Sequence, residues 1–220
     1  MPKTTRVRAP AAIFFLLAAG LTACAPDARS RNVRAAESVI ERSAVAGAFI
    51  DVSTATAAAL RHAQSGMLCA LPANGTFQVE TFPASAANQG AACTYAIGGV
   101  ATTLIAMRFR EPVGLDRAFA DATAMSARLE GAERWEGAPS AADMAAPDGL
   151  PHFRIARISG RADGAPVYLR VALSEARGWF VQQIVFAPLD QADAVEAEAG
   201  RDWRAMLSGL ASGESPAAAE

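Results

Sequence analysis

From Phe77 to Phe186 apolar side chains alternate with polar ones in run after run, in two batches with a helical stripe between them. Alternation at period two marks strands with one face buried, and half-buried strands belong to antiparallel sheets rather than to βαβ crossovers. The first batch opens with the short apolar run Gly66 to Pro72, followed by the turn signal Asn74-Gly75. Phe77 to Phe82 follows, with Phe77 and Val79 on one face and Gln78 and Glu80 on the other. Cys93 to Ile97 forms a third strand ending at Gly98-Gly99. Thr102 to Arg110 forms a fourth, with Ile105, Met107 and Phe109 expected on the core face and Arg108 and Arg110 outside. The second batch is His152 to Ser159, Val167 to Leu173, and Trp179 to Phe186, the last two joined across Ala176-Arg177-Gly178.

Helical spacing fills the joints. Val33 to Ala46 carries Val33, Ala36, Val39-Ile40 and Ala44 at helical intervals, and alanine-rich Ser53 to Ala63 reads as a second helical run capped by Asp51 or Ser53. With only Gly47 between them they form either a helix packed on the sheet or a stalk. Leu115, Ala118-Phe119, Ala122, Met125 and Leu129 make one buried stripe; Val195, Ala199, Trp203, Met206-Leu207 and Leu210 make another. The fold class is therefore α+β: antiparallel sheet or sheets of about six to seven strands with helices packed on the faces, preceded by an N-terminal helix. Gly131 to Pro151 is polar and rich in Pro, Gly and Ala, with Trp135, Met144 and Leu150 as its large apolar residues. It is expected to be the least ordered internal segment.

The N-terminus carries Lys3, Arg6 and Arg8, then an apolar run from Ala11 to Gly20 that is too short to span a bilayer. It closes on Leu21-Thr22-Ala23-Cys24. These four residues resemble the lipobox of bacterial lipoproteins. The resemblance implies a signal peptide over residues 1–23, acylation (palmitate among the chains) at Cys24, and anchoring in the cell envelope facing the periplasm. Ala25 after the cysteine favours the outer membrane over the inner. An ordinary signal peptide cut at Ala23-Cys24-Ala25 would instead leave Pro26 first in the chain, where signal peptidases rarely accept it. Behind the anchor the expected organisation is a tether and N-terminal helix over 24–50, one α+β domain over 51–210, and a disordered tail over 211–220. With Cys24 assigned to lipid, Cys69 and Cys93 remain as a pair, and an oxidising periplasm makes a disulfide their default. The element order behind a lipobox is also similar, in topology only, to the PsbP-type (DcrB-like) α/β/α sandwich of small bacterial lipoproteins.

Composition narrows the chemistry. Without the signal, 17 of the 20 basic residues remain against 22 acidic ones, about −5, which gives no reason to expect nucleic acid or an anionic lipid surface as partner. The one lysine is Lys3, so the mature chain holds none for a phosphate loop or a Schiff base. His62 and His152 are the two histidines, and with no HExxH, CxxC or calcium-loop spacing no metal or cofactor is expected. Ser65 lies three residues after His62 and would make a nucleophile and base. Without a GxSxG elbow, the pair reads rather as a last helical turn stopped by Gly66, and no catalytic residue is assigned. Arg108, Arg110, Arg154 and Arg170 form either an anion-binding cluster or, preferentially, a solvated sheet face balanced by Glu80, Glu111 and Glu175. Trp135 is the candidate interaction residue, because nothing else in its polar loop demands a large aromatic. The functional expectation is a lipid-anchored, non-enzymatic envelope protein that binds a protein partner or supports an envelope assembly. The alternatives are a periplasmic binder of a small apolar or amphipathic ligand and, behind it, a hydrolase.

Overall fold

The computed structural model describes residues 27–82, 88–144 and 149–212. The expected signal peptide 1–23, the expected acylation site Cys24 and residues 213–220 of the expected tail lie outside the described residues. Helix α1 (Ala28–Arg42) is capped by Asp27, whose carboxylate accepts from the Ser30 N–H at 2.7 Å. Three short strands follow, β1 (Phe49–Asp51), β2 (Ala58–His62) and β3 (Leu68–Leu71), and form a small antiparallel sheet. The large sheet is made of β4 (Thr76–Phe82), β5 (Asn88–Ile97), β6 (Val100–Phe109), β7 (Glu130–Arg134), β8 (Phe153–Ala162), β9 (Ala165–Ala176) and β10 (Trp179–Pro188). Its order is β4-β5-β6-β10-β9-β8-β7, antiparallel throughout. Helix α2 (Leu115–Thr123) leads into a 3-10 turn, α3 (Ala141–Met144) is a single turn, and α4 (Ala192–Ser212) closes the described chain. The fold is α+β.

Three hairpins of the large sheet turn on two residues with positive φ: Gly98-Gly99 (58° and 85°), Asp163-Gly164 (50° and 79°) and Arg177-Gly178 (56° and 73°). Two left-handed residues in a row match the twist of the strands they join, so the registers of these three strand pairs are set locally. Gly75 serves differently: a Cβ there would lie 2.6 Å from the Ala96 carbonyl oxygen.

Both faces of the large sheet are covered. One carries α1, α4 and the small sheet, over a core that includes Phe49, Leu60, Met67, Val181, Trp203 and Leu207. The other carries α2, which packs Ala118 on Leu173 and Phe180. This double cover corrects the expected orientation of β6. Leu104 and Ala106 are buried in the main core, whereas Ile105, Met107 and Phe109 are half-buried and Met107 and Phe109 pack beneath α2.

Four further expectations are corrected. Ser53 to Ala63 is not helical: Ala58, Leu60 and His62 alternate inward as β2, so strand alternation overrode alanine's helix propensity. Helix α1 is no stalk, since Ala36 and Val39 are buried and the Asn32 side-chain amide donates to the Thr54 carbonyl at 2.9 Å. The helix begun at Leu115 ends at Thr123 rather than Leu129. Residues 211 and 212, assigned to the tail, are the last residues of α4.

Candidate functional site

The densest chemistry lies under α4, where β8 and β9 place Arg157 and Arg170 directly opposite each other. Like charges in that position repel. Here each carboxylate of a second pair bridges both guanidinium groups. Asp143 accepts from Arg157 Nη2 at 2.5 Å and from Arg170 Nη2 at 2.8 and 2.9 Å. Glu196 accepts from Arg157 Nε at 2.5 Å and from Arg170 Nε at 3.1 Å. The four charges cancel. The Tyr168 hydroxyl donates to Glu196 at 2.6 Å, the Ser140 N–H donates to it at 2.9 Å, and Arg170 Nη1 donates to Gln183 Oε1 at 2.8 Å. The Arg170 side chain is 0% exposed, that of Glu196 1% and that of Asp143 5%. Burial at this depth demands full pairing, and the arrangement supplies it. Although burial pushes the Glu196 carboxyl up, its bonds to Tyr168, Ser140 and Arg157 and the charge of Arg170 outweigh that and hold it below its ordinary value. Burial, with the Glu196 bond and charge, pushes the Tyr168 hydroxyl far up.

This network corrects two expectations. Arg170 belongs to no solvated face; it is among the most deeply buried side chains described. Arg154 does reach the α2 side and pairs with Asp116 at 3.0 Å, while Arg108 lies 5.6 Å above the Trp179 ring, so the four arginines do not converge. Nor is Gly131 to Pro151 shapeless. It holds most of edge strand β7 and the single turn α3, which supplies Asp143; residues 145–148 lie outside the described ones. Ser140 starts that turn, its Oγ accepting from the Ala142 N–H at 3.2 Å. Close approach of this segment to α4 depends on Gly200, where a Cβ would fall 2.1 Å from the Ser140 Oγ.

Trp135 tucks inward. Its ring meets Tyr168 edge-on at 4.9 Å and packs beside Val195 and Ala199 of α4. An added Cβ at Gly137 would sit 2.0 Å from the indole, so glycine is required beside it. Trp135 therefore closes the outer side of the polar network.

Cys69 and Cys93 are bonded, with Cα atoms 6.3 Å apart. The strands they join lie in different sheets rather than side by side in one. The bond crosses from β3 of the small sheet to β5 of the large one and staples the two together. His62 and Ser65 sit at the β2–β3 hairpin rather than on a helix, with Gly66 at φ 78°. His62 Nδ1 and Ser65 Oγ are 2.8 Å apart, the Met67 N–H donates to that same oxygen at 3.1 Å, and the imidazole lies between Phe49 and Trp179, each 5.4 Å away. Burial lowers the His62 pKa to about 4. An imidazole so enclosed is neutral at pH 7 and spends its ring nitrogen on shaping the hairpin. His152 lines a surface depression with Asp116, Arg154 and Glu175.

A cleft of about 160 Å³ opens beside the polar network, between α4 and strands β5, β6 and β10. Tyr95, Thr102, Gln183, Glu198 and Asp202 form its polar walls, with Ile97, Val100 and Val195 among the apolar ones. Burial, together with the neighbouring Glu198, pushes the Asp202 carboxyl up; burial likewise raises the Tyr95 hydroxyl. Gln183 belongs both to this wall and to the network, its Nε2 donating to the Ala199 carbonyl at 3.3 Å. Sequence reasoning missed the network and the cleft alike. Among the described residues no group of three or more His, Cys, Asp or Glu is placed to hold a metal, and no helix is long and apolar enough to cross a membrane.

No family model matches this sequence, and no curated protein sequence matches it. Among solved structures the chain is similar to LpqN of Mycobacterium tuberculosis, described as involved in cell envelope biogenesis. The match has 13% identity and a TM-score of 0.36, over 61% of this chain and 82% of that one. It is also similar to PA94 of Pseudomonas aeruginosa, a protein of unknown function described as a putative regulator. There the identity is 13% and the TM-score 0.30, over 72% of this chain and 95% of that one. Likeness at this level transfers no function.

Proposed function

We propose that this chain is a lipid-anchored protein of the cell envelope whose α+β domain binds a protein partner rather than catalysing a reaction. The carrying observation is the Cys69–Cys93 disulfide. It suits an oxidising compartment and uses two of the three cysteines, leaving Cys24 behind Leu21-Thr22-Ala23 as the acylation site. A non-enzymatic role fits the state of the titratable groups, since the buried charges pair with one another and His62 is committed to its hairpin. Labelled palmitate should enter the wild-type chain and not Cys24→Ser, and sucrose-gradient fractionation should place the acylated protein with the outer membrane. Release of an unacylated mature form by wild type overturns the anchor. Crosslinking in native membranes followed by mass spectrometry names the partner.

The cleft beside α4 favours a second reading, a small amphipathic ligand whose polar end meets Asp202 and Tyr95 and whose apolar part lies along Ile97 and Val100. Native mass spectrometry of protein purified from its own envelope distinguishes the two, through a bound small molecule that Val100→Trp would exclude.

A further inference from the structure

The anchor and the fold together fix which side of the domain meets the bilayer. Three peptide units separate Cys24 from Asp27, the helix cap, so their Cα atoms lie within about 11 Å of each other. The headgroup layer on each side of a bilayer is itself roughly 5–8 Å deep. Helix α1 is not a swinging arm. Asn32 holds it to the loop before β2, where the side chain bonds the Thr54 carbonyl at 2.9 Å and the Asn32 carbonyl accepts from Ser53 Oγ at 3.4 Å. Lower down, Ala36 and Val39 are buried in the main core. A lipid on Cys24 therefore presses a rigid part of the domain against the membrane.

That part carries positive charge. Arg29, Arg31 and Arg34 are exposed on the first turns of α1, where Arg34 Nε donates to the Ser30 carbonyl at 3.2 Å and Asp27 caps the helix. Arg29, Ser30, Val33 and Arg34 line a shallow open depression there. Although the mature chain as a whole is negative at about −5, Arg29, Arg31 and Arg34 against Asp27 give this end a local excess of positive charge.

We infer that Arg29, Arg31 and Arg34 form a docking surface for anionic phospholipid headgroups, which sets the orientation of the domain on its membrane. The inference rests on acylation at Cys24. Guanidinium groups at headgroup depth pair with lipid phosphates in bidentate fashion. The anchor supplies residence at the surface; the arginines supply a preferred face, with the α1 end of the domain toward the lipid.

The test uses the full acylated protein in vesicles of phosphatidylcholine alone or with phosphatidylglycerol at about one part in three. Phenylglyoxal labelling of each arginine is read by mass spectrometry, with exposed Arg128 and Arg201 as internal controls. Labelling at Arg29, Arg31 and Arg34 is expected to fall at least several-fold on the anionic vesicles and to recover at high salt, with the controls unchanged. The variant Arg29→Glu/Arg31→Glu/Arg34→Glu should remain vesicle-bound through its lipid and lose the orientation, seen as equal exchange protection of α1 on both vesicle types. Equal labelling of wild type on the two vesicle types overturns the inference while leaving the anchor intact. A chain that carries no palmitate and does not float with vesicles overturns the anchor itself, and the inference with it.

Discussion

The two halves of the molecule share one apolar core and carry different locks on it. Residues 27–112 contribute the small sheet, β4 to β6 and the Cys69–Cys93 bond, around fully buried Leu60, Met67 and Ala91. Residues 113–212 contribute every member of the polar network: Asp143, Arg157, Tyr168, Arg170, Gln183 and Glu196. The first half relies on apolar area and a covalent link, which tolerate small shifts. The second adds to its own share of that apolar core a directional pairing, where one missing group leaves a charge stranded. Among the described residues, Trp203 Nε1 is the buried side-chain polar atom without a hydrogen-bond partner, and its indole sits in the apolar core. Order in the polar stretch around Asp143 can thus come from charge, provided that the charges close on themselves.

Breaking the network should have the largest effect. Glu196→Ala strands two buried guanidinium groups, and a loss of about 3–5 kcal/mol in urea unfolding is expected. Replacing Asp143, Arg157, Arg170 and Glu196 together with apolar residues of similar volume should recover most of that loss, because the cost lies in the unpaired remainder. Single and fourfold variants of equal stability would show the pairing to be idle. Opening the staple comes next: Cys69→Ala/Cys93→Ala closes no loop in the unfolded chain and should cost about 3 kcal/mol. Its effect should appear as hydrogen exchange in β1 to β3 while α3 stays protected.

The third effect is a pH dependence confined to the first half. His62 has a folded-state pKa near 4 against an ordinary value of 6.5. The unfolded chain therefore binds the proton more readily between those values, and stability is full above pH 6.5 and falls as pH drops toward 4, by up to about 3 kcal/mol. His62→Gln should flatten this part of the unfolding profile. The smallest effect is expected at Trp135, where truncation to alanine removes one edge-on contact with Tyr168 and the cover over the network. A loss of about 2 kcal/mol is expected, with faster proteolysis between 135 and 144. A loss well under 1 kcal/mol would return Trp135 to its role as an interaction residue with no packing duty.

How far the sequence could be read follows from the same contrast. Strands 77–82 and 167–173, the α4 stripe and the cysteine pair were legible because period, turn chemistry and compartment each carry local signals. The network was not, because Asp143, Arg157, Arg170 and Glu196 are brought together from three segments with no shared spacing. Arg170 misleads further, since the outward look of Tyr168-x-Arg170-x-Ala172 assumes that one sheet face meets water. Once both faces are covered, the polar positions of a central strand must carry their partners with them. Trp135 and Gly200 offered the faint clues: an aromatic in a polar loop and a glycine inside a helix both signal close contact with something else. The misread stretch 53–63 had its strand signal in Ala58-x-Leu60-x-His62, masked by alanine.

The strand order has a consequence for assembly. In β4-β5-β6 and in β7-β8-β9-β10 every hydrogen-bonded neighbour is also the next strand along the chain; β6 with β10 alone joins distant segments of the large sheet. Two meanders, which contain the three two-residue hairpins, are thus joined at one seam. The longest loop closure in the large sheet falls on that single pairing, where Val181 meets Ala106 and the register of all seven strands becomes common. Cut open at the connection between β6 and α2, the chain would separate into two pieces that each keep their own lock, the disulfide in one and the salt-bridge cluster in the other. Their reunion would depend on one strand edge recognising another.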